Sequence, residues 1–134
     1  WHHPFGFGAL GYALPAAIGG SLGRPGRPTV AIAGDYGFQY TLPELGVAVE
    51  LGLSLPILLW NNKKLKAIED SMIAAQIAPN SVQALNPNFE VLAKAYGALG
   101  RQPETFSGLQ NDLLEAFSAK VPTLINMSTD LLNY

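Results

Sequence analysis

The sequence predicts an α/β domain of three layers, a mainly parallel sheet with helices on both faces. Short apolar runs, TVAIA at 29–33, PILLW at 56–60 and PTLINM at 122–127, alternate with alanine- and leucine-rich stretches of helical length. Such alternation builds β-α-β units, and these pair their strands in parallel. Glycine, proline and asparagine gather at the junctions, where they break both kinds of element. With 49% hydrophobic and 13% charged residues, a chain of 134 residues has material for one core and one domain.

Residues 1–11 are glycine- and aromatic-rich and read as a loop. Tyr12 to Leu22 reads as a helix, with Pro15 in its first turn, where proline is tolerated. After a turn at 23–28, residues 29–33 read as a buried strand. Residues 34–40 read as a loop. A helix starts at Thr41, where Thr41-x-x-Glu44 matches a capping box, and stops at Gly52. Pro56 to Trp60 reads as a second buried strand, 61–64 as a polar loop and 65–76 as a helix. The prolines and asparagines of 78–88 predict an exposed loop. Phe89 to Tyr96 is an amphipathic helix ended by Gly97. Residues 98–102 predict a short strand, 109–119 a helix and 122–127 the last strand.

Composition excludes several functions. The net charge of −2 gives no basic field for nucleic acid. Without cysteine there is no disulfide and no thiolate metal site. The longest apolar run, Leu53 to Trp60, is broken by Ser54 and Pro56 and falls short of the roughly 20 residues that span a bilayer. A cytoplasmic enzyme fits this make-up. The chain begins at Trp1, which reads as a piece of a longer protein whose other domains cover part of its surface.

In parallel sheets ligands bind at the carboxyl ends of the strands, so the loops after Ala33 and Trp60 are where chemistry is expected. The first is Gly34-Asp35-Tyr36-Gly37, the second Asn61-Asn62-Lys63-Lys64. Gly34 and Gly37 admit close approach of a ligand to the backbone, and N–H groups there form an anion site. Asp35 adds a hard oxygen and Asn62 a neutral one. Together with phosphate oxygens and water, they form the set that Mg2+ prefers.

The stretch resembles the signature of thiamine-diphosphate enzymes, Gly-Asp-Gly followed at a set distance by Asn-Asn. Here Gly34-Asp35-Tyr36 is followed by 24 residues, 37–60, and then Asn61-Asn62. Residues 8–19 (GALGYALPAAIG), 89–97 and 122–126 are also similar to that family, so the likeness covers essentially the whole chain. The nearest branch is that of acetohydroxyacid synthases and 2-oxo acid decarboxylases.

The resemblance implies thiamine diphosphate and Mg2+ as cofactors, in the family's C-terminal diphosphate-binding domain. It implies that Asp35, Asn62 and the backbone carbonyl of Lys64 hold the metal. Tyr36 and Gly37, beside Gly34, would hold the diphosphate. Gly8 and Leu10 would meet the aminopyrimidine, Leu10 being the bulky apolar side chain over which the cofactor bends. It implies a 2-oxo acid substrate, a homodimer or homotetramer, and a pyrimidine-binding partner domain, usually from another subunit. That partner carries the activating glutamate. No catalytic residue is then expected in this chain, which alone is expected to be inactive. Tyr36 replaces the signature's middle glycine, and Lys66 stands where relatives often have glycine.

Other residues have blander readings beside functional ones. Gly6-x-Gly8-x-x-Gly11 matches a dinucleotide fingerprint, but that motif must follow a strand and 1–5 is a poor one. His2 and His3 adjoin the cofactor loop and read as exposed. Lys63, Lys64 and Lys66 read as a solvated loop. Glu69 and Asp70 read as helix-end charges. In acetohydroxyacid synthases a tryptophan of this helix selects the second 2-oxo acid, and Ser71 stands at that position. A substrate with a cationic side chain suits the acids Glu69 and Asp70, so a guanidino-2-oxo acid decarboxylase stands beside an acetolactate synthase-like transferase. A non-catalytic cofactor-binding module and an NAD-binding domain are the remaining alternatives.

Overall fold

The structure, a computed structural model, describes residues 1–132, the side chains of Asp130 and Leu132 excepted. Four strands, β1 (Ala31–Gly34), β2 (Pro56–Asn61), β3 (Leu99–Arg101) and β4 (Thr123–Ser128), form one sheet in the order β1-β2-β4-β3. Every pairing is parallel. The helices are α1 (Ala13–Gly23), α2 (Asp35–Tyr40), α3 (Glu44–Glu50), α4 (Lys66–Ala74), α5 (Phe89–Ala95) and α6 (Phe106–Ser118), with a 3-10 turn at Thr129–Leu132.

The three layers are unequal. On one face Ala31, Ala33, Ile57, Leu59 and Leu124 pack against α1, α2, α3 and α5, and this is the main core. On the other face Leu58, Ile125 and Met127 pack against α6 through Leu109, Leu113 and Ala116. This inequality corrects the expectation that 29–33 is a buried strand. β1 is an edge strand that alternates buried and exposed residues, and Ile32 is 49% exposed because α6 covers β2 and β4 instead. β2 and β4 sit at the centre and are buried almost throughout.

Local sequence explains some boundaries. α1 contains Gly19, Gly20 and Gly23, each about 1 kcal/mol worse than alanine in a helix. Burial of Leu14, Ala17 and Ile18 holds it helical. α5 is capped by Asn88, whose side chain accepts from the Val91 N–H at 2.9 Å, and α6 by Thr105, which accepts from the Gly108 N–H at 3.0 Å. At Gly97, φ is +86°, a conformation that favours glycine and ends α5.

Three local expectations are overturned. Residues 35–40 form α2 rather than a loop, because Phe38 is fully buried edge-on to Phe89, with ring centroids 6.2 Å apart. The Thr41 capping box is absent: the hydroxyl donates instead to the Gly11 carbonyl at 2.9 Å, and α3 begins at Glu44 without a side-chain cap. Residues 78–88 are not simply an exposed loop. Val82 is buried, and 82–84 run antiparallel to 63–65 through Leu65 N–H to Val82 O and Ala84 N–H to Lys63 O, both 2.8 Å.

Candidate functional site

β1 and β2 are neighbours in register, Gly34 beside Trp60, so the chain leaves both strands at the same level of the sheet. Asp35 follows β1 directly and is 2% exposed. Its carboxylate is held from three directions. Oδ1 accepts the Tyr36 N–H at 2.9 Å, while Oδ2 accepts the Lys63 N–H at 2.9 Å and the Asn86 side-chain N–H at 2.6 Å. The bond to Lys63 spans 28 positions and stitches the two loops together. It sets the Asn62–Lys63 peptide against the carboxylate.

The second loop is a tight turn. Asn62 Oδ1 accepts the Lys64 N–H at 3.1 Å, and Lys63 takes a left-handed φ of +57°. Such conformations cost a non-glycine residue on the order of 1 kcal/mol or more and gather where geometry is dictated by a site. The ladder bonds to 82–84 flank Lys64 and turn its own N–H and C=O away from that segment. The structure therefore brings Asp35, Asn62 and Lys64 together.

Gly34 and Gly37 keep the space above α2 open. A Cβ on Gly34 would meet nothing within 4 Å, and one on Gly37 would lie 3.8 Å from both Leu10 Cδ2 and the Gly11 N. Neither glycine adopts a positive φ; Gly34 is extended, at −74°. What each provides is room, not an unusual conformation. Leu10 is half exposed on the far side of this space. Gly8, at φ +63°, lies in the preceding turn, and the bond from Thr41 to Gly11 ties that turn to the end of α2. A cleft of about 540 Å³ includes Leu10, Gly34 and Gly37; a second, of about 390 Å³, includes Asn61, Lys63 and Asn86.

The larger surprise is a network of amides. The Asn86 side chain donates to Asp35 Oδ2 and, at 2.9 Å, to Asn61 Oδ1, and it accepts from Gln39 Nε2 at 3.1 Å. Asn61 donates to Asn126 Oδ1 at 3.0 Å, and Asn126 donates to Glu90 and Gln102 at 3.0 and 3.1 Å. Tyr36, in place of the signature's glycine, sends its hydroxyl to the Gln83 carbonyl at 3.2 Å and anchors the same segment. Sequence reasoning missed Asn86. Its one signal was the Asn-Pro-Asn run before α5, which reads as turn chemistry.

The charges beyond the turn are paired. Lys64 Nζ lies 3.1 Å from Glu69 Oε2, and Lys66 bonds Asp70 one helical turn away. Asp70 raises the pKa of Lys66, chiefly through that hydrogen bond. Both lysines are paired with these acids, the Lys66–Asp70 pair toward solvent and Glu69 the least exposed of the four. Ser71 donates to the Ala67 carbonyl within α4. His2 and His3 are exposed, His3 against Phe5. The run Gly6 to Gly11 is preceded by irregular chain and a turn rather than a strand, which removes the context a dinucleotide fingerprint requires.

The donor set passes a chemical test for Mg2+ and a diphosphate. Among the described residues no three His, Cys, Asp or Glu side chains converge. One carboxylate, one amide oxygen and one carbonyl suit a hard cation that keeps phosphate and water ligands. Among the described residues no helix is long and apolar enough to cross a membrane.

A parallel α/β domain with an oxygen-rich loop pair at two adjacent strand ends has the architecture of a cofactor-binding domain. The chain belongs to the family described as thiamine pyrophosphate enzyme, C-terminal TPP binding domain, which it matches over residues 1–127. It is 46% identical over 128 residues to the "Probable 2-ketoarginine decarboxylase" of Pseudomonas aeruginosa, covering 95% of this chain and 23% of that protein. It is 33% identical over 137 residues to the mitochondrial acetolactate synthase catalytic subunit of Saccharomyces cerevisiae, covering 97% of this chain and 20% of that protein. Among solved structures it superposes on the thiamine diphosphate-dependent 4-hydroxybenzoylformate decarboxylase of Rhodococcus jostii RHA1 with a TM-score of 0.82. Identity there is 28%, over 89% of this chain and 23% of that one. The benzoylformate decarboxylase of Polynucleobacter necessarius gives a TM-score of 0.81 at 26% identity, over 91% of this chain and 24% of that one. The chain spans under a quarter of the length of each of these proteins.

Proposed function

We propose that this chain holds the diphosphate of thiamine diphosphate, through Mg2+, in an enzyme that decarboxylates a 2-oxo acid with a guanidino side chain. The observation that carries the first half is the Asp35 carboxylate, buried at the end of β1 and bonded to the Lys63 N–H of the Asn61–Asn62 loop. Asp35, the Asn62 side chain and the Lys64 carbonyl are the protein ligands of the metal. The open space beside Gly34, Tyr36 and Gly37 receives the diphosphate, and Leu10 with Gly8 faces the aminopyrimidine. Bound thiamine diphosphate supplies a thiazolium carbon that takes up the electrons released as a 2-oxo acid loses carbon dioxide. This chain's own groups orient that cofactor and hold its charge. The acid that activates it comes from a pyrimidine-binding domain outside these residues, contributed across a homodimer or homotetramer interface.

The substrate class rests on the 46% identical relative, named for 2-ketoarginine, together with the two acids at the start of α4. Acetolactate synthesis is the second reading, favoured by the 33% identical yeast relative. Ser71 counts against it, because the resemblance implies a tryptophan there in those synthases. The test of the metal site is Asp35→Ala in the full-length enzyme, titrated with thiamine diphosphate and Mg2+ by calorimetry. Metal-dependent binding is expected to vanish; binding equal to wild type would remove Asp35 from the site.

A further inference from the structure

We propose that Asn86 is a positioning residue of this site, setting the orientation of the Asp35 carboxylate toward the metal; the inference rests on the metal-site reading above. Asn86 is half-buried in 78–88, 51 positions from Asp35. As the residue before Pro87 it is confined largely to extended backbone, which limits how far its side chain can swing. Its amide orientation follows from its partners. Gln39 presents an amide N–H to it on one side and Asp35 a carboxylate oxygen on the other, so the Asn86 oxygen faces Gln39 and its nitrogen faces Asp35. Both N–H groups are committed, one to Asp35 and one to Asn61.

The remaining orientations then follow in one direction. Asn61 presents its oxygen to Asn86 and its nitrogen to Asn126, and Asn126 presents its nitrogen to Glu90. A chain of amide donors thus runs between two carboxylates, Asp35 and Glu90, with no member free to flip unless its neighbours flip too. Asn61 and Asn126 lie on the same side of β2 and β4, since Asn126 is in register with Leu59, two residues before Asn61. The sheet therefore fixes the network from below, while Asn86 closes it from above.

For the metal the consequence is geometric. A carboxylate offers about four lone-pair sites. The N–H groups of Tyr36, Lys63 and Asn86 take three, leaving one for a cation and stopping the group from rotating. Without Asn86 only the two backbone donors remain, one in the first turn of α2 beside Asp35 itself and one in the Asn61–Lys64 turn. Asn86 thus carries the register of 78–88 into the metal site.

The experiment is calorimetry of the full-length enzyme with thiamine diphosphate and Mg2+, comparing wild type, Asn86→Ala, Asn86→Asp and Asp35→Ala. Loss of a hydrogen bond to a charged group predicts a cofactor affinity about 10- to 100-fold weaker in Asn86→Ala. The loss should fall on the apparent KM for the cofactor more than on kcat. Asn86→Asp keeps the shape but sets a second carboxylate where the donor stood, 2.6 Å from Asp35 Oδ2, and should bind more weakly still. A role confined to filling the loop predicts the reverse order, with the isosteric Asp nearly as good as Asn, and that order overturns the proposal. So does wild-type affinity in both variants while Asp35→Ala fails to bind, which leaves the metal site standing and removes Asn86 from it. If Asn86→Ala does not fold, the isosteric Asn86→Asp decides alone: at least tenfold weaker binding supports the proposal and unchanged binding refutes it. Metal-dependent binding retained by Asp35→Ala refutes the metal-site reading and this inference with it.

Discussion

Gly100 connects packing to the site, and its replacement can be worked through quantitatively. β3 lies so close to α5 that a Cβ on Gly100 would stand 2.6 Å from Glu90 Cα, 2.7 Å from its carbonyl oxygen and 3.0 Å from its carbonyl carbon. All three are backbone atoms, so no side-chain rotation relieves the contact. To reach ordinary contact, about 3.4 Å, α5 must retreat by roughly 0.8 Å, and overpacking of this kind costs about 1–3 kcal/mol. Glu90 moves with the helix, and its bond to Asn126, now 3.0 Å, is stretched toward the limit at which it counts as one. Gly100→Ala in the full-length enzyme should therefore lower hydrogen-exchange protection of the α5 amides about 5- to 150-fold, and it should weaken cofactor binding as the amide network loosens. Gly19→Ala is the internal control. Gly19 lies within α1, a Cβ there meets nothing within 4 Å, and alanine should stabilise that helix by about 0.5–1 kcal/mol. Unchanged α5 protection in Gly100→Ala would show that the layers yield without cost and would refute the reasoning.

Three further outcomes are expected. Thr123 is 1% exposed and its hydroxyl has no partner among the described residues, so Thr123→Val should raise stability, by up to about 1–3 kcal/mol in chemical denaturation of the enzyme. No gain would mean the hydroxyl is satisfied in the assembled protein. Burial raises the pKa of Asp112, opposed by Arg101 at 3.5 Å and aided by Glu115. The folded state therefore keeps that proton to a higher pH than the unfolded state, and stability from this group is lost as pH rises from the ordinary 3.8 through the raised value. The advantage of Asp112→Asn over wild type should grow across that window and level off above it, as thermal midpoints at several pH values would show; an advantage that shrinks with pH contradicts the sign. Glu69→Gln should lower kcat/KM for an arginine-derived 2-oxo acid relative to an aliphatic one by about 10-fold or more. Asp70→Asn should do less, because Asp70 is 55% exposed against 14% for Glu69. A constant ratio in both variants would leave these acids only their lysine partners.

The alternation of apolar runs and helical stretches made the parallel sheet legible, because β2 and β4 are central and buried strands of that kind need little besides β-branched and aliphatic residues. What local sequence could not show was which strand lies at an edge. TVAIA and PTLINM look alike, yet β1 leaves Ile32 half exposed while β4 is buried along five consecutive residues. α2 was hidden for a similar reason. Residues 34–37 carry the glycines of a loop, and the helix exists because Phe38 is buried against Phe89, 51 positions away. Thr41 and Thr105 make the point from both sides. Each is a threonine at a helix junction, but Thr105 caps its helix while Thr41 spends its hydroxyl on the Gly11 carbonyl of a distant turn.

The site divides along the same line. Asp35, Asn61 and Asn62 stand out in sequence because, with Gly34, they resemble the thiamine-diphosphate signature at its spacing, and because the loops after two apolar runs are where a parallel sheet places a ligand. Asn86 is unreadable because nothing in an Asn-Pro-Asn run separates a turn residue from one aimed at a carboxylate. The antiparallel contact of 82–84 with 63–65, a long-range pairing, helps deliver it there. The same contact explains why Tyr36 is accommodated where the signature has glycine. Its hydroxyl reaches the Gln83 carbonyl, so the bulk added at the second position of the signature is absorbed by the segment that carries Asn86. Tyr36 and Asn86 thus act on the same piece of chain from opposite ends, one holding it to α2 and the other connecting it to Asp35. A smaller residue at 36 would remove one tether of the segment that carries the carboxylate's third donor, leaving the ladder bonds of Leu65 and Ala84 and the Asn86 side-chain bonds to Gln39 and Asn61.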